Sequence, residues 1–227
     1  VTGTHGNMRH MGNILVDANQ GRNAIDYDDG ANVTDLSRLV NTKPYLTNES
    51  DIVALMVLEH QTQIQNLITF AHYEEVRGRE YDKSMNAALD RDPKFQSEFT
   101  KRRTTRSIDT LVRYLLFADE FQLTAHVKGT SAFTETFSKR GPHDNQGRSL
   151  YQLDLQTRLF RYPLSYMIYS SSFKQLPSST LKRIAQTLHQ RLIATVNADG
   201  LEHLTPKLKL VLLNILKQTH PQLVKYW

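Results

Sequence analysis

The longest helical periodicity in the chain runs from about residue 50 to residue 92, and it constrains the fold more than any other feature. Ser50, or Thr47 one turn earlier, is the predicted N-cap. The Asp92-Pro93 pair ends the helix, because the residue before a proline avoids helical dihedrals. Between these limits apolar residues recur at helical spacing, namely Val53, Met56, Val57, Ile64, Leu67, Ile68 and Ala71.

Further helical segments follow, separated by loops that contain glycine and proline. Their predicted limits are residues 93–122, a short helix at 131–139, residues 150–175 with a break at Tyr162-Pro163, residues 177–197, and a last helix that starts at Thr205-Pro206 and ends before Pro221. No strand-like alternation or internal repeat is present in the sequence. The sequence therefore predicts an all-α fold, built as an irregular helical bundle.

The first part of the chain has a different character. Residues 1–46 are rich in Gly, Asn and Asp, which form turns, and they show only one possible short helix near Thr34-Asp35. We therefore expect a single domain over residues 1–227, with a loop-rich N-terminal layer at 1–46 and a helical body at 47–227.

Composition excludes several kinds of site. The chain has no cysteine, so it holds no disulfide, no thiolate zinc site and no covalently attached haem of its own. No apolar run is long enough to cross a membrane, and the first residues do not have the pattern of a signal peptide. The chain begins without Met, which predicts a fragment or a processed product. A net charge of +5 permits an anionic partner without requiring one.

Two histidines and two methionines lie close together near the start of the chain. His5, Met8, His10 and Met11 stand beside glycines, which allow the backbone to fold closely around an ion or a cofactor edge. Imidazole and thioether ligands together suit copper or haem iron. Alternatively, the methionines fill gaps in a core and the histidines form ordinary hydrogen bonds.

A second candidate site lies on the long helix. His60 falls on the apolar stripe and Glu59 borders it, so a buried His60 needs a partner. Asp119 occupies the matching place on the next predicted helix and is a candidate to hold the His60 ring. Such a pair suits general acid–base work or the support of a metal ligand. The alternative is a core histidine whose hydrogen bonds are satisfied.

Two basic segments complete the candidates. Arg148 and Arg158 flank Asp154, and they either clamp an anion or pair with that carboxylate to hold the loop. The run from Lys101 to Arg106 has only Phe99 as an aromatic neighbour, so we expect a solvated helix face and no nucleic-acid interface.

Several stretches of the chain resemble an uncharacterised family of exported bacterial proteins. They include Thr4-His5-Gly6 with Arg9-His10-Met11-Gly12-Asn13, the stretch from Asp51 to Thr62 with its Leu58-Glu59-His60-Gln61 centre, Gly147-Arg148-Ser149-Leu150, Arg158-Leu159-Phe160 with Tyr162-Pro163, and Tyr226-Trp227. The chain looks like the C-terminal half of longer family members, whose N-terminal part carries c-type haem attachment motifs.

This resemblance implies a periplasmic, cytochrome-like protein in which the chain is a haem-associated redox or electron-transfer accessory domain. Any haem c is then carried by an upstream segment, which is also the implied partner, and His5, His10, Met11 and His60 are the residues that approach it. Two alternatives stay open from the residues themselves. One is a metal- or acid–base-dependent enzyme that uses Glu59, His60 and Asp119, and the other is a non-catalytic structural or partner-binding helical domain.

Overall fold

The predicted all-α class is confirmed. The computed structural model describes residues 1–7, 15–16, 25–26 and 30–227, of which 15–16 and 25–26 are described by their backbone alone. The helices of these residues are α1 Ile52–Ala88, α2 Glu98–Leu115, α3 Phe133–Ser138, α4 Ser171–Lys174, α5 Ser178–Ile193, α6 Pro206–Thr219 and α7 Pro221–Val224, with a 3₁₀-helix at Tyr166–Tyr169. None of the helices in the described ranges combines the length and the hydropathy that crossing a bilayer requires.

Four very short strands accompany the helices in the described part of the chain, as two antiparallel pairs. β1 (Thr4–His5) pairs with β4 (Val127–Lys128), so that Thr4 lies opposite Lys128 and His5 opposite Val127. β2 (Leu15–Val16) pairs with β3 (Ile25–Asp26). The first pair joins the start of the chain to a segment more than a hundred residues later.

Backbone contacts divide the chain into two compact units. Unit one comprises Val1–His60, Phe121–Arg140 and Tyr151–Arg161, and unit two comprises Gln61–Glu120, Gly141–Leu150 and Tyr162–Trp227. The helix α1 contributes its first residues to unit one and the rest to unit two. The expectation of a single domain stays a prediction.

The side chain of Asp51 connects the start of α1 to the segment at Thr130 and Ser131 in unit one. Its Oδ1 accepts hydrogen bonds from the N–H groups of Val53 (2.8 Å) and Ala54 (3.1 Å), which caps the helix. Its Oδ2 accepts from the N–H groups of Thr130 (2.9 Å) and Ser131 (2.8 Å) and from the Ser131 hydroxyl (2.7 Å). The predicted caps Ser50 and Thr47 are therefore wrong, and the buried neighbour Asp51 takes that role.

The backbone of Thr2 binds the residues on either side of Asp51. Thr2 donates its N–H to the carbonyl of Ser50 (2.6 Å) and accepts from the N–H of Ile52 (2.8 Å). Thr2 itself is fully buried. Beyond this junction, Val53, Val127 and Leu155 form a small apolar cluster against which half-buried neighbours such as Met56 and Phe133 pack.

Unit two is a helical body in which α2 packs on α5, and α5 packs on α6 and α7. Its core is formed by buried aliphatic side chains, among them Ile108, Leu111, Val112, Leu115, Ile184, Leu188, Leu192, Leu212, Ile215 and Leu216. Thr205 caps α6 by accepting from the N–H of Leu208 (3.2 Å), and Pro206 opens the helix, as the sequence predicts.

Three local predictions are wrong. The expected helix near Thr34-Asp35 is a turn, because the Asp35 carboxylate accepts the N–H of Ser37 (2.7 Å) instead of leaving it to a helix. The helix α2 starts at Glu98 and ends at Leu115, so it is shorter than the predicted 93–122. Residues 150–165 contain no helix, and a bridge between Leu153 and Phe160 closes a hairpin-like turn there.

Candidate functional site

His60 lies on the buried face of α1, as its place on the apolar stripe predicts. Its residue is 5% exposed, and its ring packs against Phe160 with 5.3 Å between the ring centroids. Burial lowers the pKa of His60 from 6.5 to about 4, because the charged imidazolium loses its hydration. The imidazole is therefore neutral at physiological pH, and a neutral imidazole is the form that binds metals or accepts protons.

The two acidic residues assigned to His60 have other surroundings. Glu59 is exposed. Asp119 belongs to unit two and is not on a helix, since α2 ends at Leu115. Its side chain is 71% exposed, and its Oδ2 accepts from the Nη2 of Arg113 at 2.8 Å. The helical register that motivated an Asp119–His60 pair therefore stops before Asp119.

His5 is the described member of the N-terminal histidine–methionine cluster. It lies on β1 in unit one, and its N–H donates to the Oδ1 of Asn32 (3.0 Å). The Nε2 atom of its ring is buried and has no hydrogen-bond partner among the described residues. His10 and Met11 lie outside the described residues. One imidazole nitrogen of the cluster is thus buried without a hydrogen-bond partner in the part of the chain that the structure describes.

The backbone around His5 is held on both sides. Asn32 donates its side-chain N–H to the carbonyl of Gly6 (3.2 Å), and Gly6 donates its N–H to the carbonyl of His126 (2.9 Å). Gly6 has a φ of +54°, a conformation that a residue with a Cβ adopts only with strain. These contacts fix the direction of the chain at the point where the His5 ring leaves it.

Arg148 pairs with Asp144 and not with Asp154. The Nε of Arg148 donates to the Oδ2 of Asp144 at 2.6 Å, while the Oδ1 accepts the N–H groups of Gln146 and Arg148 (both 2.9 Å). Burial raises the pKa of Asp144, but these hydrogen bonds and the guanidinium charge together hold it below its usual value. The result is a closed loop whose charges compensate each other.

The carboxylate of Asp154 accepts hydrogen bonds from the backbone of the turn that follows it. Its Oδ1 accepts hydrogen bonds from the N–H groups of Gln156 (2.7 Å) and Thr157 (2.8 Å). Burial raises the pKa of Asp154, but these hydrogen bonds and one from the backbone of Arg158 lower it more, so the pKa lies below its usual value. Arg158 lies in the same turn, where its carbonyl accepts the N–H of Leu155 (2.8 Å). Asp144 thus takes the place of the expected Asp154 as the partner of Arg148, and Arg148 belongs to unit two whereas Arg158 belongs to unit one.

Sequence reasoning missed a group of charged residues on α1 and α2 in unit two. Glu74 is buried and binds the guanidinium of Arg103, which the sequence assigned to a solvated face. Arg77 and Arg106 line a cleft between α1 and α2 together with Glu74 and Arg103. Glu74 and Arg77 are three residues apart and lie on one face of α1, and Arg103 and Arg106 do the same on α2. The sequence contains this spacing, but it does not show that the two helices lie side by side.

Among residues 1–7 and 30–227, no three His, Asp or Glu side chains lie close enough together to hold a metal ion. No protein-family model matches the sequence, and no curated protein or solved structure matches it at a significant level.

Proposed function

We propose that the chain is a haem-associated redox or electron-transfer accessory domain of a periplasmic, cytochrome-like protein. The motive is the resemblance of its motifs to that family, and the structural observation that supports it is the buried, unpartnered Nε2 of His5 within the described residues. A buried polar atom normally has a partner, so an imidazole nitrogen without one is a candidate ligand atom.

The residues present fit a haem as the bound group. Imidazole nitrogen is a common axial donor to haem iron, and His10 and Met11 follow His5 within one short stretch of the chain. Because the chain has no cysteine, a haem c would be attached to a segment outside it. When bound, the haem would supply one-electron transfer.

The protein's own contribution would be to present His5 in a fixed direction. The pairing of β1 with β4 and the hydrogen bond from the His5 N–H to Asn32 orient the backbone before any partner arrives. Preorganisation of this kind reduces the entropy lost when a ligand binds. His60 has no assigned contact to such a group, so its approach to the haem stays a prediction.

Titration of the 227-residue chain with iron protoporphyrin IX tests the proposal. We expect a shifted Soret band that weakens in His5→Ala and in His10→Ala. The matched control is His126→Ala, because His126 is exposed and lies next to β4. An absent spectral change, or equal loss in His5→Ala and His126→Ala, would overturn the proposal and leave a structural or partner-binding domain.

The alternative of an acid–base or metal-dependent enzyme gains no support from specific contacts. Glu59 is exposed, and the Asp119 carboxylate binds Arg113.

A further inference from the structure

A cleft of about 530 Å³ opens in unit two along the faces of α1 and α2. Phe70, Glu74 and Arg77 of α1 and Arg103 and Arg106 of α2 line it. Pockets that bind small molecules have volumes of roughly 300–1,000 Å³, so the cleft is large enough for such a ligand.

The acidic member of the cleft is already neutralised by one of the arginines. Glu74 is 5% exposed, and its two oxygens accept hydrogen bonds from the Nε (2.5 Å) and Nη2 (2.6 Å) of Arg103. The hydrogen bonds from Arg103 are the largest cause of the lowered pKa of Glu74, so this carboxylate is ionised at neutral pH. The Arg103 guanidinium also lies 5.3 Å from the ring centre of Phe99, which fixes it further.

The charge of Arg77 also lowers the pKa of Glu74, but the cleft is lined by three guanidinium groups and one carboxylate, so two positive charges are in excess. Arg77 and Arg106 are exposed, and within residues 30–227 no ion pair joins either of them to a carboxylate. Thr110 also lines the cleft, but its hydroxyl donates to the carbonyl of Arg106 (2.9 Å). The main hydrogen-bond donors that remain for a ligand are therefore the guanidinium groups. An anion entering the cleft would therefore meet two guanidinium groups and no uncompensated carboxylate.

We propose that this cleft is a binding site for a small organic phosphate monoester. Guanidinium forks bind phosphate oxygens in pairs, and a dianion matches the two uncompensated charges better than a single carboxylate does. Phe70 is 50% exposed at the edge of the cleft and offers an apolar wall for the organic part. The site is independent of the proposed haem-associated function, and neither proposal fails with the other.

Calorimetric titration of the 227-residue chain with phenyl phosphate at pH 7.5 and low salt tests this site. Arg77→Gln and Arg106→Gln should each weaken binding by about tenfold, because each removes a charge-assisted hydrogen bond to the phosphate. Arg102→Gln is the matched control, because Arg102 is an exposed arginine of the same helix that does not line the cleft. Benzoate, which has one charge on a similar ring, should bind at least about tenfold more weakly than phenyl phosphate.

A second arm distinguishes a free phosphate ester from a lipid headgroup, which share the same chemistry. Vesicles that contain phosphatidic acid are compared with neutral vesicles in a flotation assay. Binding of these vesicles that depends on Arg77 and Arg106, without binding of phenyl phosphate, would assign the site to a lipid phosphate. The proposal is overturned if neither probe binds, if Arg102→Gln weakens binding as much as Arg106→Gln, or if benzoate binds as tightly as phenyl phosphate.

Discussion

Replacing His60 with glutamine should make the stability of the protein less sensitive to mild acid. In the folded chain the pKa of His60 is about 4, because burial removes water from the charged ring, whereas the ordinary value is 6.5. Between these two values the unfolded chain binds a proton that the folded chain does not. The free energy of unfolding is therefore highest, as far as His60 is concerned, above pH 6.5, and it decreases progressively as the pH falls toward 4.

The magnitude follows from the two pKa values. A tenfold change in proton affinity is worth about 1.4 kcal/mol, so the full difference between 6.5 and about 4 amounts to about 3 kcal/mol. Between pH 7.5 and pH 4.5 about 2.5 kcal/mol of it is expressed, because at pH 4.5 the folded imidazole is still mostly neutral. That is a large fraction of a typical stability of about 5–15 kcal/mol.

Urea unfolding followed by far-ultraviolet circular dichroism at both pH values measures this effect. The wild-type chain should lose about 2.5 kcal/mol more than His60→Gln does over the interval. Other groups with perturbed pKa values, such as His220, are present in both proteins and cancel in the comparison. His126→Gln is the control, since this histidine is exposed. Equal acid sensitivity in the wild type and His60→Gln would refute a buried, neutral His60.

Three further substitutions test the loops, and urea unfolding at pH 7.5 measures each. Asp51→Ala should lower the free energy of unfolding by about 3 kcal/mol or more, because four backbone N–H groups and a hydroxyl lose their acceptor. Asp144→Asn should lower it by about 3–5 kcal/mol, because the half-buried Arg148 guanidinium loses its counter-charge. Gly3→Ala should lower it by more than about 2 kcal/mol, because Gly3 has a φ of +144° and a Cβ would lie 2.8 Å from the carbonyl oxygen of Lys128.

Matched controls separate these effects from general fragility. Asp35→Ala removes an exposed turn carboxylate and should change stability by less than about 0.5 kcal/mol. Gly147→Ala shares a positive φ with Gly3→Ala, but its Cβ would meet no atom within 4 Å, so only the backbone cost of about 1–2 kcal/mol applies. If Gly3→Ala costs no more than Gly147→Ala, the close approach to β4 is not the reason for glycine at this position.

The helices that could be predicted are those in which local signals agree. At α6, Thr205 as cap and Pro206 in the first turn coincide with an apolar stripe, and the structure confirms the start. The cap of α1 could not be assigned, because Ser50 and Asp51 are both good caps. The choice of Asp51 depends on Thr130 and Ser131, which lie far away in sequence.

Residues 150–165 show the opposite case, in which a helical pattern is overruled. The apolar residues of this stretch suit a helix, but the Asp154 carboxylate accepts backbone N–H groups two and three residues later. Leu155 follows with a φ of +61°, which turns the chain back on itself. A side chain that binds nearby backbone groups competes with the helix, and the outcome depends on tertiary contacts.

For the candidate sites, position along a helix predicted burial but not partners. His60 is buried as its register requires. The partner of Arg148 was misassigned, because two carboxylates, Asp144 and Asp154, lie at similar distances in sequence, and the loop closes on the first. The cleft of Arg77 and Arg106 needs the pairing of two helices, which one sequence does not specify.

The division of the chain into two units has a consequence for how the chain folds during its synthesis on the ribosome. Unit one is encoded in three stretches, so its first sixty residues emerge before the residues that complete it. Thr130, whose N–H binds Asp51, is synthesised 79 residues after it. At a synthesis rate of roughly 5–20 residues per second, this delay lasts about 4–16 s. During that interval the nascent N-terminal segment cannot finish folding, and the apolar start of α1 is open to chaperones.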